Sequence, residues 1–221
     1  MDKTVLFFEL GYFFKIVGVV ILIQNLRVKR HIEGISFYTQ LLFCLADFVK
    51  LFYFHHTVLY DYWFGWLELV ASLVTSAILM ACMIKYKPIS LVQEKNEYDY
   101  RIIIVISAIL AVISNYEKDA DFEWSQFAIR FSIILEALGL LPQIKLMTRD
   151  KYVQRFMGNY LVCICLSRIC RVGFWVCQIW DNTSDDTYYT LLLADLFYIV
   201  LTGDFIYNFV KHRNTNVIPY N

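Results

Sequence analysis

The sequence predicts an all-α membrane protein of seven transmembrane helices, in two parallel three-helix repeats joined by a linking helix. Three observations predict this fold class: an apolar composition, seven apolar stretches, and basic loops confined to one side. The chain of 221 residues is 59% hydrophobic and only 18% charged, whereas soluble domains are about 25% charged. This excess of apolar residues indicates that lipid surrounds most of the chain.

The seven apolar stretches are the predicted membrane spans. Most of them reach the ~20 residues that a helix needs to cross a bilayer core. The first stretch lacks the basic start and small-residue cleavage site of a signal peptide, and it carries Glu9 and Lys15. We therefore expect it to be a true span. The predicted spans are residues 4–25, 35–55, 62–84, 101–117, 124–147, 157–180 and 187–210.

The connecting loops alternate in charge. The loops after spans 2, 4 and 6 contain "HHTVLYD", "EKDADFE" and "DNTSDD", which hold few basic residues. Basic loops of membrane proteins lie in the cytosol, which places the amino terminus outside the cell or in a lumen, and the tail in the cytosol. The basic residues after spans 1, 3, 5 and 7 are Arg27, Lys29, Arg30, Lys85, Lys87, Lys95, Arg101, Arg149, Lys151, Arg155, Lys211 and Arg213.

An internal repeat is visible in two segments, "LIQNLRVKRHIEGISFYTQLLFC" and "LPQIKLMTRDKYVQRFMGNYLVC". Aligning Gln24 with Gln143 also aligns Cys44 with Cys163 without a gap, so span 1 matches span 5 and span 2 matches span 6. Both copies then have the same orientation in the membrane. Within one domain, residues 1–221, we expect a first unit over 4–84, a linking helix over 101–117, a second unit over 124–210 and a tail over 211–221.

The sequence carries no pattern typical of catalysis, of a cofactor or of a metal. It has no Walker loop, no HExxH and no CxxC, and its six cysteines all fall inside predicted spans. The formal net charge is zero, which gives no reason to expect a nucleic-acid partner. We therefore predict a non-enzymatic membrane protein without a cofactor.

Ionisable residues inside the spans are the candidate functional groups. Each costs on the order of 2.5–3.5 kcal/mol at a helix centre, so the central ones must face one another or a water-filled cavity. Two interpretations stay open, namely ion pairs that lock the bundle and a polar pocket. Residues nearer the span ends, among which we count Lys15, are expected to reach the interface. The full set is Glu9, Lys15, Asp47, Lys50, Glu68, Arg130, Glu136, Arg168, Arg171, Asp195 and Asp204.

Span 6 shows the clearest pattern. Arg168, Arg171 and Trp175 are spaced i, i+3 and i+7, so they share one helix face. Lys50 and Arg130 add cations from other spans, and arginine forks suit carboxylate or phosphate ligands. This pattern predicts a basic, aromatic-lined pocket for an anion. The available buried partners are Glu68, Glu136 and Asp195.

The order of several segments resembles the KDEL receptor family, which returns escaped lumenal proteins to the endoplasmic reticulum (ER). These segments are "EGISFYTQLLFCLADFVKLF", "KYK", "SAILAVISN", "FSIILEALGLLPQIKLM", "NYLVCICLSRICRVGFW" and "GDFIYNFVK". They cover most of the chain, and "LEALGLLPQ" and "GISFYTQLLF" are the most specific. The resemblance implies the family's seven-helix fold, similar to that of SWEET and other PQ-loop proteins.

The resemblance also implies a ligand and a cycle. The family binds the C-terminal Lys-Asp-Glu-Leu-type tetrapeptide of a lumenal protein at acidic Golgi pH and releases it in the ER. It resides in ER and Golgi membranes, and a basic cytosolic tail recruits a COPI-type coat. Lys50, Arg168 and Trp175 match ligand-binding positions of the family, and Glu136 matches a buried glutamate linked to pH-dependent closure.

The sequence departs from the family at several pocket positions. Gln126 replaces a glutamate of the pocket wall, and Arg171 replaces a tyrosine. Both residues are predicted ligand contacts. The loss of acidic residues and the gain of Arg171 predict a more acidic retrieval signal or a different anionic peptide. The family's pH-sensing histidine falls at Lys15, so His55 and His56 become the candidate pH switch. A PQ-loop or SWEET-like small-solute transporter stays open as the alternative function.

Overall fold

The structure of the chain, a computed structural model, consists of helices and one short pair of strands in the residues that it describes. These are residues 3–29, 35–54, 63–86, 99–115, 123–150, 152–180, 186–211 and 217–219. Each of the seven predicted stretches contains a helix, which confirms the predicted helical class. The helices are α1 (Lys3–Lys29), α2 (Phe37–Tyr53), α3 (Trp63–Tyr86), α4 (Tyr100–Asn115), α5 (Trp124–Leu138), α6 (Leu141–Asp150), α7 (Arg155–Trp180) and α8 (Asp186–Lys211).

Four helical stretches in the described residues are long and apolar enough to cross a membrane. They are Leu6–Val28, Leu69–Tyr86, Trp124–Met147 and Met157–Trp180. Tyr100–Asn115 and Leu191–Gly203 are shorter apolar helices. Large apolar side chains are exposed on many helices, as expected for surfaces that face lipid. The composition and these helices together define a membrane protein.

The fifth predicted span is divided into two helices, whereas the sequence predicted one helix over 124–147. A turn at Gly139 and Leu140 separates α5 from α6, and the Gly139 amide donates to the Leu135 carbonyl at 2.8 Å. Pro142 explains the break because it lacks an N–H donor and fits only the first turn of a helix. In α6, Gln143 accepts the Ser36 amide at 2.8 Å and so holds the start of α2.

Six of the helices close into a ring. Around it, α1 packs on α3, α3 on α2, α2 on α5, α5 on α8, α8 on α7, and α7 on α1. The helix α4 packs mainly against α5 and does not belong to this ring. Strands β1 (Tyr152–Gln154) and β2 (Val217–Pro219) pair antiparallel, with Val153 opposite Ile218. The interior of the ring is thus formed by helices from both predicted repeat units.

The apolar core fills one half of this ring. It includes Leu22 and Leu26 of α1, Met83 of α3, and Tyr160 of α7, all at most 1% exposed. Each of these residues lies near the end of its helix that the loop charges predict to be cytosolic. The opposite half of the ring interior is therefore the place where polar side chains can gather.

Two glycines of α1 allow a close approach to α7. A Cβ atom at Gly18 would lie 3.0 Å from the Cβ atom of Cys163, and one at Gly11 would lie 3.2 Å from the Ser167 carbonyl oxygen. Small residues at such positions let membrane helices pack backbone to backbone. This contact sets the position of the α1 segment between the two glycines.

We expect Gly18→Val to lower the free energy of unfolding by about 1–3 kcal/mol, since overpacking a tight contact forces the neighbours apart. The measurement is thermal unfolding of the purified chain in detergent. Gly203→Val is the matched control because a Cβ at Gly203 meets no atom within 4 Å. Equal losses of stability in the two variants would contradict the close packing of α1 on α7.

Candidate functional site

An arginine cluster, formed by Arg168, Arg171, Trp175 and Asp195, lies in the polar half of the ring. Arg168 Nη1 donates to Asp195 Oδ1 at 2.7 Å, and Arg171 Nε lies 3.2 Å from Asp195 Oδ2. The indole Nε1 of Trp175 donates to the same Oδ2 at 2.8 Å. The shared face of α7 predicted from the i, i+3, i+7 spacing is therefore confirmed, and it points at one acid of α8.

A lysine cluster, formed by Lys15, Asp47, Lys50 and Ser76, lies on the other side of the ring interior. Asp47 Oδ1 accepts from Lys15 Nζ at 2.5 Å and from Lys50 Nζ at 2.8 Å. Its second oxygen, Oδ2, accepts from the Ser76 hydroxyl at 2.7 Å. Helices α1, α2 and α3 of the first predicted unit supply these four side chains.

Glu136 of α5 joins the two clusters through its two oxygens. Oε1 accepts from Lys50 Nζ at 2.9 Å and lies 3.5 Å from Lys15 Nζ. Oε2 accepts from Arg168 Nη2 at 2.7 Å and from Arg171 Nη1 at 3.0 Å. Four cations thus converge on one carboxylate, and breaking this link would separate the lysine cluster from the arginine cluster.

We call the seven charged side chains linked in this way the ion network. The three acid side chains are at most 2% exposed, and the four basic side chains are 6–16% exposed. Four cations against three carboxylates leave one positive charge, provided that every group is in its ordinary ionised form. A buried unbalanced charge attracts an anion, because water contributes little to its solvation there. The members are Lys15, Asp47, Lys50, Glu136, Arg168, Arg171 and Asp195.

Aromatic rings flank the cations of the network. The guanidinium carbon of Arg168 lies 4.5 Å from the ring centroid of Tyr198, and Lys50 Nζ lies 5.8 Å from that of Tyr12. Such rings stabilise a desolvated cation through the quadrupole of their faces. The setting agrees with the predicted combination of basic and aromatic groups.

Most of the predicted site residues are brought together. Lys50, Glu136, Arg168 and Arg171 belong to the ion network, and Trp175 donates to it. Gln126 is half-buried on α5, ten residues before Glu136 and so ~15 Å away along the helix. Its role as a ligand contact stays a prediction.

The two candidate pH-switch residues, His55 and His56, lie outside the described residues. The side chains of Glu68 in α3 and Asp204 in α8 are also outside the part of the chain that the structure describes. The predictions made for these four residues therefore stay predictions.

One expectation was wrong: Lys15 does not reach toward the membrane interface but pairs with Asp47 and Glu136. Its position explains this, because Lys15 lies near the middle of the long helix α1 rather than near its end. Sequence reasoning also missed Ser76. The pairing of Asp47 with Lys50 was visible as an i, i+3 spacing, whereas contacts between different helices left no signal in the sequence.

A ring of long apolar helices around a network of four cations and three carboxylates is the arrangement of an integral membrane protein with a polar interior. The sequence profile of the family described as "ER lumen protein retaining receptor" matches residues 31–178. This match covers more than half of the chain, and it includes five of the seven members of the ion network. The chain belongs to this family.

Curated relatives agree with this assignment over nearly the whole chain. The "ER lumen protein-retaining receptor erd-2.1" of Caenorhabditis elegans is 28% identical over 202 residues, 84% of this chain and 88% of the relative. The receptor of the same description from Saccharomyces cerevisiae is 25% identical over 212 residues, 87% and 92% of the two chains. That of Dictyostelium discoideum is 26% identical over 220 residues, 94% of each.

Proposed function

We propose that this protein is a receptor for the C-terminal tetrapeptide of ER lumenal proteins, and that the ion network binds the ligand's terminal carboxylate. The observation that supports this most strongly is the convergence of four buried or partly buried cations on Glu136, in a network that has one more cation than carboxylates. Family membership gives the class of cargo, because the relatives are described as ER lumen protein-retaining receptors.

The arginine cluster is the part of the network best suited to the carboxylate. A planar guanidinium offers parallel N–H donors that match the two oxygens of a carboxylate. Arg168 and Arg171 each contact two carboxylates, those of Glu136 and Asp195, with one donor nitrogen to each. A ligand carboxylate would join this arrangement, with Trp175 and Lys50 as further predicted contacts.

The ligand would enter from the lumen. The apolar core occupies the half of the ring that faces the basic loops, so the network lies in the other half. The positive-inside rule assigns the basic loops to the cytosol. This topology, with a lumenal amino terminus in ER and Golgi membranes, lets one receptor meet escaped lumenal proteins.

The order of helices around the ring supports the predicted pair of repeats. Within each unit the first helix packs on the third and the third on the second: α1, α3, α2 and then α5, α8, α7. The units meet twice in the same way, first helix against second helix. An axis along the membrane normal would relate the two units, as in SWEET-like folds.

The cytosolic tail, residues 211–221, would recruit a COPI-type coat through Lys211 and Arg213 for return to the ER. The basic charges beside the membrane support this part of the proposal, although they also suit the surface of an anionic bilayer. Replacing both with glutamine is expected to abolish binding of purified coatomer to receptor in liposomes of neutral lipid. Unchanged binding would show that the tail charges do not recruit the coat.

We expect acidic pH to favour cargo binding through His55 and His56, because histidine titrates near pH 6.5 and gains positive charge below it. Below this pH the added charge would attract the anionic peptide, and above it the attraction would be lost. The double variant His55→Gln, His56→Gln should therefore bind the peptide with equal affinity at pH 5.5 and pH 7.5, values that lie about one unit on either side of the histidine pKa. A wild-type pH dependence that persists in the variant would exclude these histidines as the switch.

A binding titration tests the proposed function as a whole. The full chain in lipid nanodiscs is titrated by calorimetry with a peptide that ends in Lys-Asp-Glu-Leu, and the same chain in liposomes is assayed for uptake of labelled sugar. We expect saturable peptide binding and no sugar uptake. Sugar uptake without peptide binding would instead support the SWEET-like transporter.

A further inference from the structure

Three donors of one helix, α7, hold the carboxylate of Asp195. Arg168 Nη1 lies 2.7 Å from Asp195 Oδ1, and Arg171 Nε and Trp175 Nε1 lie 3.2 Å and 2.8 Å from Oδ2. We call these three donors the carboxylate cradle. The side chain of Asp195 is 0% exposed. Two guanidinium groups and an indole suit any carboxylate, whether it belongs to a side chain or to a ligand.

Glu136 is held in a different way. Its two oxygens contact Lys15 of α1, Lys50 of α2 and both arginines of the cradle. Moving Glu136 would therefore break ion pairs with three helices, whereas moving Asp195 breaks contacts with α7 alone. Asp195 is thus the acid of the arginine cluster that another carboxylate can replace with the smaller disturbance of the ring.

The cradle can be reached from the side that the loop charges predict to be lumenal. In that topology α7 runs from the cytosol toward the lumen, so Trp175 lies about one turn closer to the lumen than Arg171. Trp175 is only partly buried, whereas Arg168 and Arg171 are buried. A ligand that enters from the lumen therefore meets the indole first and then the two guanidinium groups that contact Asp195.

We infer that Asp195 is an internal competitor, whose carboxylate holds the cradle until the carboxylate of a ligand displaces it. This inference rests on the proposed function and adds a means of regulating the same site. The ligand carboxylate then replaces Asp195 among the three donors rather than adding a further acid to them. The displaced acid loses its donors inside the ring, which costs free energy. Asp195 therefore lowers the affinity of the receptor for its cargo.

Asp195→Asn is expected to bind a peptide ending in Lys-Asp-Glu-Leu roughly tenfold tighter than the wild type, a difference of about 1.4 kcal/mol. Asparagine keeps a side-chain oxygen for the Trp175 indole, but without a charge it holds the two arginines less strongly than the carboxylate does. The ligand then displaces a weaker competitor. Calorimetry on the full chain in neutral-lipid nanodiscs, at one pH and one salt concentration, measures the dissociation constants.

Asp47→Asn is the comparison that matches the change in charge. It also removes one buried carboxylate, but Asp47 contacts Lys15 and Lys50 rather than the cradle. The affinity of this variant measures what the loss of a negative charge in the ring interior does by itself. We expect a smaller gain than in Asp195→Asn, about threefold.

Acetate tests the cradle without any peptide. Asp195→Ala removes the carboxylate from the three donors, and acetate supplies a carboxylate of similar shape. Acetate at a saturating concentration is expected to raise the melting temperature of this variant in detergent by about 3 °C or more, relative to chloride at the same concentration. Tryptophan fluorescence follows the unfolding. Glu123→Gln, at an exposed position outside the ion network, should melt at the same temperature in both salts.

Equal gains in affinity in Asp195→Asn and Asp47→Asn would overturn the inference, because the change in charge would explain both. A folded Asp195→Asn that bound the peptide no tighter than the wild type would also overturn it. If Asp195→Asn did not fold, equal melting temperatures of Asp195→Ala in acetate and in chloride would overturn it instead. A wild type that bound no peptide would contradict the proposed function, whereas stabilisation of Asp195→Ala by acetate would still support Asp195 as the occupant of a carboxylate site.

Discussion

Glu136→Ala is expected to lower the free energy of unfolding by about 3–5 kcal/mol, the range for removing one partner from a buried ion pair. Glu136 accepts from all four cations of the network and is the described carboxylate that contacts both clusters. Its loss leaves Lys15, Lys50, Arg168 and Arg171 to share two acids. Thermal unfolding in detergent, followed by circular dichroism, measures the change.

Glu123→Gln is the control for this experiment, because Glu123 is an exposed glutamate immediately before the same helix, α5, and glutamine keeps the side-chain oxygen that accepts from the Ser125 hydroxyl. We expect that control to change stability by less than about 0.5 kcal/mol, as exposed substitutions usually do. A melting temperature of Glu136→Ala equal to that of the control would show that the network does not hold the ring together.

Arg168→Ala is expected to weaken peptide binding by roughly a hundredfold, within the range for truncating one partner of a buried hydrogen-bonded charge pair. Arg168 spans two acids, since Nη1 binds Asp195 and Nη2 binds Glu136, both at 2.7 Å. Without it the network has three cations for three acids, so no excess charge is left to hold a carboxylate. Calorimetric titration with the Lys-Asp-Glu-Leu peptide measures the loss.

The variant Arg168→Lys tests whether peptide binding depends only on the positive charge at this position or also on the geometry of the guanidinium. A lysine keeps the positive charge but presents one ammonium in place of a planar fork, so it cannot span Asp195 and Glu136 in the same way. We expect an intermediate loss, roughly tenfold. If Arg168→Ala folded normally and bound the peptide within about threefold of the wild type, Arg168 would be structural and not part of the binding site.

The helices could be predicted from the sequence because a lipid environment imposes a strong pattern on membrane-spanning segments. Each span must be a run of apolar residues, and such runs are visible without knowledge of their neighbours. The break after Leu138 was not predicted, although Pro142 marked it. A proline near a glycine can end a helix or bend it, and packing around the turn decides between the two.

The candidate site was predicted in part, for a similar physical reason. Arg168, Arg171 and Trp175 share one helix, so their spacing alone placed them on one face. Asp195 and Glu136 were expected as partners because a buried cation needs an acid, but their assignment to particular cations required the ring. Lys15 was missed because its partners belong to other helices, 32 and 121 residues away in sequence.

The acids of the ion network change the charge of the site from what its cations alone would give. Counting cations on one face of α7 predicts a strongly basic pocket, whereas the assembled ring shows acids opposite each cation. Three of the seven network residues, Lys15, Asp47 and Asp195, were not among the predicted ligand contacts. Asp47 and Asp195 offset part of the positive charge that the four cations bring to the network.

The most direct test of the central claim compares two forms of one peptide on the wild-type chain. A peptide ending in Lys-Asp-Glu-Leu is titrated by calorimetry in nanodiscs, first with a free carboxyl terminus and then with a C-terminal amide. The account predicts binding of the free acid and a loss of roughly a hundredfold for the amide, about 2.7 kcal/mol. Equal affinity for the two forms would contradict the claim that the ion network binds the terminal carboxylate.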